Sequence, residues 1–121
     1  MVLYYDGDDS DDEIYEKEKL VQLLNISNPR TVIKNLEAYL GKPIKLYISN
    51  RKDKKYKIMN DKGKWVHFGA FDPPMQDYTY HNDSVRRENY LRRSRKIKGD
   101  WKNDKFSANN LARVGLWNAE F

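Results

Sequence analysis

The sequence contains no cysteine in 121 residues, which excludes disulfides, thiolate metal sites and a cysteine nucleophile. The same absence suits a protein kept in a reducing compartment. Histidine is nearly as scarce. His67 and His81 are the only two, and neither HxxxH nor HExxH spacing occurs, so no metal site with three or four convergent ligands is expected. His67 is expected to pack in or beside a sheet, and His81 to hydrogen-bond within a loop. The six glycines (7, 41, 63, 69, 99 and 115) are isolated, leaving neither GxGxxG nor a Walker loop. None of the six serines sits in GxSxG. No run approaches the ~18–20 apolar residues of a membrane span, and the opening MVLYYDGDDSDDE lacks the basic and apolar regions of a signal peptide. The sequence therefore reads as a non-enzyme, with no cofactor, no metal and no small-molecule substrate expected.

Charge is plentiful and unevenly distributed. Charged residues make up 34% of the chain and apolar residues 39%, against about 25% charged in an ordinary globular protein. Such a chain builds a thin core, and some apolar surface is expected to be covered by a partner. Residues 1–18 hold eight acids and one lysine, a balance of −7, while the other 103 residues hold 22 bases and ten acids, a balance of +12. Two windows concentrate the positive charge: residues 42–64, with nine bases and two acids, and residues 86–98, with seven bases and one acid.

Periodicity divides the chain into an acidic arm, 1–12, led by Tyr4 and Tyr5, and a single α+β domain, 13–121. A first helix is predicted over 13–25, its apolar face formed by Ile14, Val21 and Leu24 with Lys17, beside Leu20. A second follows SNPR: Ser27 or Asn28 caps it, Pro29 takes its first position, Val32, Ile33, Leu36, Tyr39 and Leu40 share one face, and Gly41 stops it. These two form a helical hairpin over 13–43. Three strand-like runs at 44–50, 55–59 and 64–69 predict a three-stranded antiparallel meander over 44–69, with Gly63 supplying a positive φ in the second turn. Pro73 and Pro74 mark a loop, after which a basic helix is predicted from Asn82 or Asp83 to Gly99, then a short helix capped by Ser107. The predicted core unites Leu36, Leu40, Leu46, Ile48, Ile58, Val66 and Phe68.

Candidate partner-binding residues come from charge and aromaticity. Arg86, Arg87, Arg92, Arg93, Arg95 and Lys96 fall within a few helical turns, and arginine forks match phosphate and carboxylate oxygens alike. Arg51 and Lys54 flank Tyr56 in RKDKKYK, a basic run interleaved with an aromatic ring. Tyr4, Tyr5, Trp101 and Trp117 add the large rings that anchor interfaces. By charge alone these residues fit nucleic acid, an acidic protein or a solvated face equally well.

The stretches SNRKDKKY (Ser49–Tyr56), HFG (His67–Gly69), YTYHND (Tyr78–Asp83), RRENYLR (Arg86–Arg92) and LWN (Leu116–Asn118), in that order, resemble a family of small uncharacterised proteins of large nucleocytoplasmic DNA viruses of algae and amoebae. The resemblance covers roughly residues 44–118. It departs from the family pattern at AFDPPM after HFG, where a glycine-bearing turn is expected. It implies a viral origin and no known enzymatic activity. Combined with the acidic arm, the aromatics and the arginines, it points to a minor capsid or cement-type virion component that binds neighbouring capsid proteins, present in the host cytoplasm or nucleus during assembly. The alternative is a viral nucleic-acid-binding protein that uses the Arg-rich helix and the basic β-turn. The eight carboxylates of residues 1–18, five of them in the arm, repel phosphate, which favours the first reading.

Overall fold

A computed structural model describes Leu3–Tyr4 and residues 10–121, the side chains of residues 10–16 excepted. The element order is β1 (Leu3–Tyr4), α1 (Ser10–Leu24), α2 (Pro29–Leu40), β2 (Leu46–Ile48), β3 (Lys54–Met59), β4 (Trp65–Ala70), α3 (Tyr78–His81), α4 (Ser84–Ser94), a 3₁₀ turn (Trp101–Asn103) and α5 (Ala108–Leu111), which runs on into a π-helical turn, Ala112–Leu116. The α+β class holds, but the sheet has four strands in the order β1-β2-β3-β4 rather than three. The meander β2-β3-β4 is antiparallel, and β1 adds a parallel edge with Leu3 opposite Leu46 and Tyr4 opposite Tyr47. Leu3 is buried in the core, so this part of the expected arm belongs to the domain. Two residues are too short a strand to read from periodicity. Tyr5 and the acids of residues 6–9 lie outside the described residues.

Helix α2 is built as its sequence dictates. The Asn28 side chain accepts from the Thr31 N–H, Pro29 occupies the first position, and Gly41 closes the helix with φ 72°, its N–H donating to the Glu37 carbonyl. Val32 and Leu36 are fully buried, with Ile33, Tyr39 and Leu40 half-buried beside them. This face meets the sheet surface formed by Leu46, Ile48, Tyr56, Ile58 and Phe68 and the C-terminal residues Leu111, Leu116 and Trp117. Of the predicted core, Leu40 and Val66 are half-buried and the others are buried.

The apolar face predicted for α1 is rotated. Val21 and Leu24 are exposed, and Ile14 lies outside the described side chains. Lys19 and Leu23 are the residues that go inside. The cause is chemical: the Lys19 ammonium donates to the carbonyls of Ser49 (2.7 Å), Arg51 (2.9 Å) and Lys54 (2.7 Å), closing the β2–β3 turn from within. A lysine with its three donors satisfied takes a core position that hydropathy assigns to an aliphatic residue.

The basic helix is also shorter than expected. α4 starts as read, with the Asp83 carboxylate accepting from the N–H groups of Val85 and Arg86, but it ends at Ser94. There Arg113 donates to the Leu91 carbonyl (2.8 Å) and to the Ser94 hydroxyl, drawing the last turn onto α5 and its π-helical extension. Arg95, Lys96 and Lys98 therefore project from a turn. The proline loop contains α3, with Asp77 as its cap.

Candidate functional site

Two populations of charged side chains separate once the fold is in place: those the fold consumes and those it leaves exposed. The first is centred on Asp77. Its carboxylate, fully buried, accepts from the Lys55 ammonium (3.1 Å), from the Thr79 N–H (3.0 Å) and from the Thr79 hydroxyl. The Thr79 hydroxyl accepts in turn from the Asn28 N–H (2.9 Å), and the Asp77 N–H donates to the Ile26 carbonyl (3.0 Å). Alongside, the Tyr56 hydroxyl donates to Ser27 Oγ at 2.7 Å. This network joins β3, α3 and the α1–α2 connection. Burial pushes the Lys55 ammonium below its ordinary pKa against the opposing pull of Asp77, and pushes the Tyr56 phenol up.

Tyr56 and Trp117, expected at a partner surface, are therefore corrected to core residues. Tyr56 is wholly buried beside Phe68, and Trp117 is stacked on Tyr90 with ring centroids 4.3 Å apart and planes within 9°. Arg87 is also structural. It is half-buried and donates to the carbonyls of Trp117 (2.9 Å) and Asn118 (2.7 Å), tying α4 to the end of the chain. Trp101 is half-buried, its indole N–H donating to the Ile97 carbonyl at 2.7 Å, with Lys102 and Arg113 near its ring. The basic run at the β2–β3 turn divides. Lys55 and Lys57 are buried, Lys54 is half-buried, and Arg51 is exposed beside Asp53.

In the basic segment 86–98, Arg86, Arg92, Arg93, Arg95, Lys96 and Lys98 are all exposed. Arg86 reaches the Gln76 side chain at 3.3 Å and Arg92 the Asn89 side chain at 3.5 Å. Among the described residues none of the six is ion-paired; the pairs present are Lys42–Asp61, Arg51–Asp53 and Lys55–Asp77. Next to this segment lies a cleft of about 320 Å³, its floor formed by Lys55, Phe68 and Leu116, with the exposed Met75 and Ile97 also in its lining. Tyr4, on the β1 edge, is 41% exposed.

Both histidines are in hydrogen-bonding positions. His67 Nδ1 lies 2.7 Å from the Ser49 hydroxyl, and His81 Nδ1 accepts from the Asp83 N–H at 2.9 Å. Among the described residues no group of three or more His, Asp or Glu is placed to hold a metal ion. Burial lowers both histidine pKa values; Lys57, Arg51 and Lys19 add to the effect at His67, and Arg86 at His81. Both rings are thus harder to protonate in the fold than in the unfolded chain, whose histidines titrate near about 6.5. The unfolded state takes up protons first, so stability present above that pH is lost as pH falls through the folded values. The melting temperature is expected to drop between pH 7 and pH 5, and the drop should shrink in a His67→Gln/His81→Gln variant. A flat profile in the native sequence would contradict this reading.

Residues 44–94, fewer than half of the chain, match the model of a family of unknown function (DUF5754). That span runs from just before β2 to the end of α4, and so includes Lys55, Tyr56, Asp77 and Thr79 of the buried network and most of the exposed arginines of 86–98. No curated protein and no solved structure matches the chain.

Proposed function

We propose that this is a non-enzymatic viral structural protein, a minor capsid or cement-type component of the virion that docks through α4 and the following turn onto acidic faces of neighbouring capsid proteins. The observation that carries the proposal is the division among the arginines. Arg87 and Arg113 are spent on backbone carbonyls within the fold, while Arg92, Arg93 and Arg95, with Lys96 and Lys98, face solvent without an acidic partner among the described residues. Exposed cations beside an apolar cleft suit a protein neighbour, whose carboxylates meet the guanidinium forks while an apolar side chain enters the cleft. The viral setting is supported by the resemblance over residues 44–118. Within it, the protein would be found in the particle, and in the host cytoplasm or nucleus during assembly.

Reversing Arg92, Arg93 and Arg95 to glutamate is expected to leave folding nearly intact, because all three are exposed, the one side-chain hydrogen bond described among them is Arg92 to Asn89 at 3.5 Å, and such surface changes alter stability by about 0.5 kcal/mol or less each. Circular-dichroism melts check that outcome. The same variant separates this reading from a duplex-binding one. A gel shift with duplex DNA at low salt is expected to show only weak binding; tight, steeply salt-dependent binding lost in the triple variant would make nucleic acid the partner of α4.

A further inference from the structure

A different face of the molecule carries rings and lysines together. Tyr4, Tyr47 and Trp65 form a row, with centroids 5.4 Å apart for Tyr4–Tyr47 and 4.9 Å for Tyr47–Trp65. The register explains the row. Tyr47 pairs with Lys57 and Lys57 with His67, so Trp65, two residues before His67, shares the face of Tyr47 across the intervening strand. Trp65 is 37% exposed and Met59 48%, so both present apolar surface on this face. Beside them opens a cavity of about 370 Å³ walled by Tyr47, Trp65, Phe106 and Pro43, with Lys42 and Lys45 in its lining.

The ammonium groups sit close to the rings. Lys57 Nζ lies 4.3 Å from the centroid of Trp65, Lys42 Nζ 5.5 Å from that of Phe106, and Lys45 Nζ 5.8 Å from that of Tyr4. Lys62 and Lys64 are exposed in the adjacent β3–β4 turn, and the described acid in that turn is Asp61, 2.8 Å from Lys42. Among the described residues, four exposed lysines stand against the carboxylates of Asp61 and of Glu37, which accepts from the Ile44 N–H at 3.1 Å, and leave the face a positive balance. A ligand that alternates flat rings with negative charge satisfies both features.

We propose that this face binds single-stranded nucleic acid, one base entering the cavity against Trp65 and Tyr47 while the flanking phosphates meet Lys42, Lys45, Lys62 and Lys64. Single strands present their base faces to such rings, whereas a duplex keeps them stacked inside. A polyacidic peptide without aromatic side chains would meet the lysines and leave the rings unused. The inference is independent of the α4 reading, because it uses none of the α4 cations.

The test is fluorescence anisotropy of a labelled 12-mer oligothymidylate, run against a duplex of equal length and against polyglutamate as competitor. The single strand is expected to bind more tightly than the duplex. Trp65→Ala should weaken binding about tenfold, with Trp65→Phe recovering most of it. Lys42→Glu/Lys45→Glu, at two exposed positions that keep the fold should Trp65→Ala disturb it, should weaken binding and flatten its salt dependence. The Arg92→Glu/Arg93→Glu/Arg95→Glu reversal should cost less than Trp65→Ala. A duplex bound as tightly as the single strand, polyglutamate displacing the strand at equal charge concentration, or a folded Lys42→Glu/Lys45→Glu variant with native affinity would each overturn the proposal.

Discussion

Replacing Asp77 with alanine is expected to destabilise the protein by about 3–5 kcal/mol, the cost of leaving a buried charge without its partner. In a domain of this size that lowers the melting temperature by more than about 10 °C. Three losses coincide at one side chain. The Lys55 ammonium, itself buried, is left facing apolar surroundings; α3 loses its cap; and the Thr79 hydroxyl, which accepts from Asn28, loses the carboxylate it donates to. Asp77→Asn keeps the shape and the acceptor for the Thr79 N–H but not the charge, so it should retain part of the stability. Lys55→Met added to Asp77→Asn should recover more, because it removes the orphaned ammonium. A double-mutant cycle read by chemical denaturation measures the coupling. Additive single effects would mean that the pair is not coupled in the folded state.

The second large effect is expected at Gly69. Its φ of +87° is one that side chains rarely adopt, and a Cβ there would stand 2.8 Å from Leu116 Cδ1 and 3.1 Å from Lys55 Cβ. Conformation and space are therefore both refused. Leu116 is held in the C-terminal core turn and Lys55 by its ion pair, so neither retreats cheaply. Gly69→Ala should cost about 2–4 kcal/mol, combining overpacking with backbone strain. Gly63, with φ +73° and open space around a built Cβ, makes the control: its alanine variant bears the conformational cost alone and should lose less. Equal losses at the two positions would refute the close approach at Gly69.

Much of the architecture is legible in local signals. The α2 boundaries follow from Asn28, Pro29 and Gly41, and the three antiparallel strands from alternation and short polar turns, because each depends on residues near in sequence. What hydropathy misplaces is the lysines. Lys19, Lys55 and Lys57 read as surface charge, yet all three are buried. Lys19 is satisfied by carbonyls 30, 32 and 35 residues away, and Lys55 by a carboxylate 22 residues on, so nothing local marks them. The one local hint at Asp77 is the Asp-x-Thr spacing of a capping residue before a short helix. The same effect misdirects the site reading. Tyr56, flanked by bases, looks like a surface ring, but the flanking Lys55 and Lys57 go inside with it. Arg87 is indistinguishable in sequence from Arg86, and only the return of the chain end to α4 separates the structural arginine from the exposed one.

As contact residues of an assembled particle, the exposed cations of α4 and the turn after it are needed for the protein to enter virions. The most direct measurement is quantitative mass spectrometry of purified virions produced with either the native protein or the Arg92→Glu/Arg93→Glu/Arg95→Glu variant, after the two have been matched for melting temperature and intracellular level. The native protein is expected at a fixed ratio to the capsid subunits, and the variant is expected to be depleted about tenfold or more from particles. Native protein absent from purified particles, or a variant incorporated at the native ratio, would contradict that role.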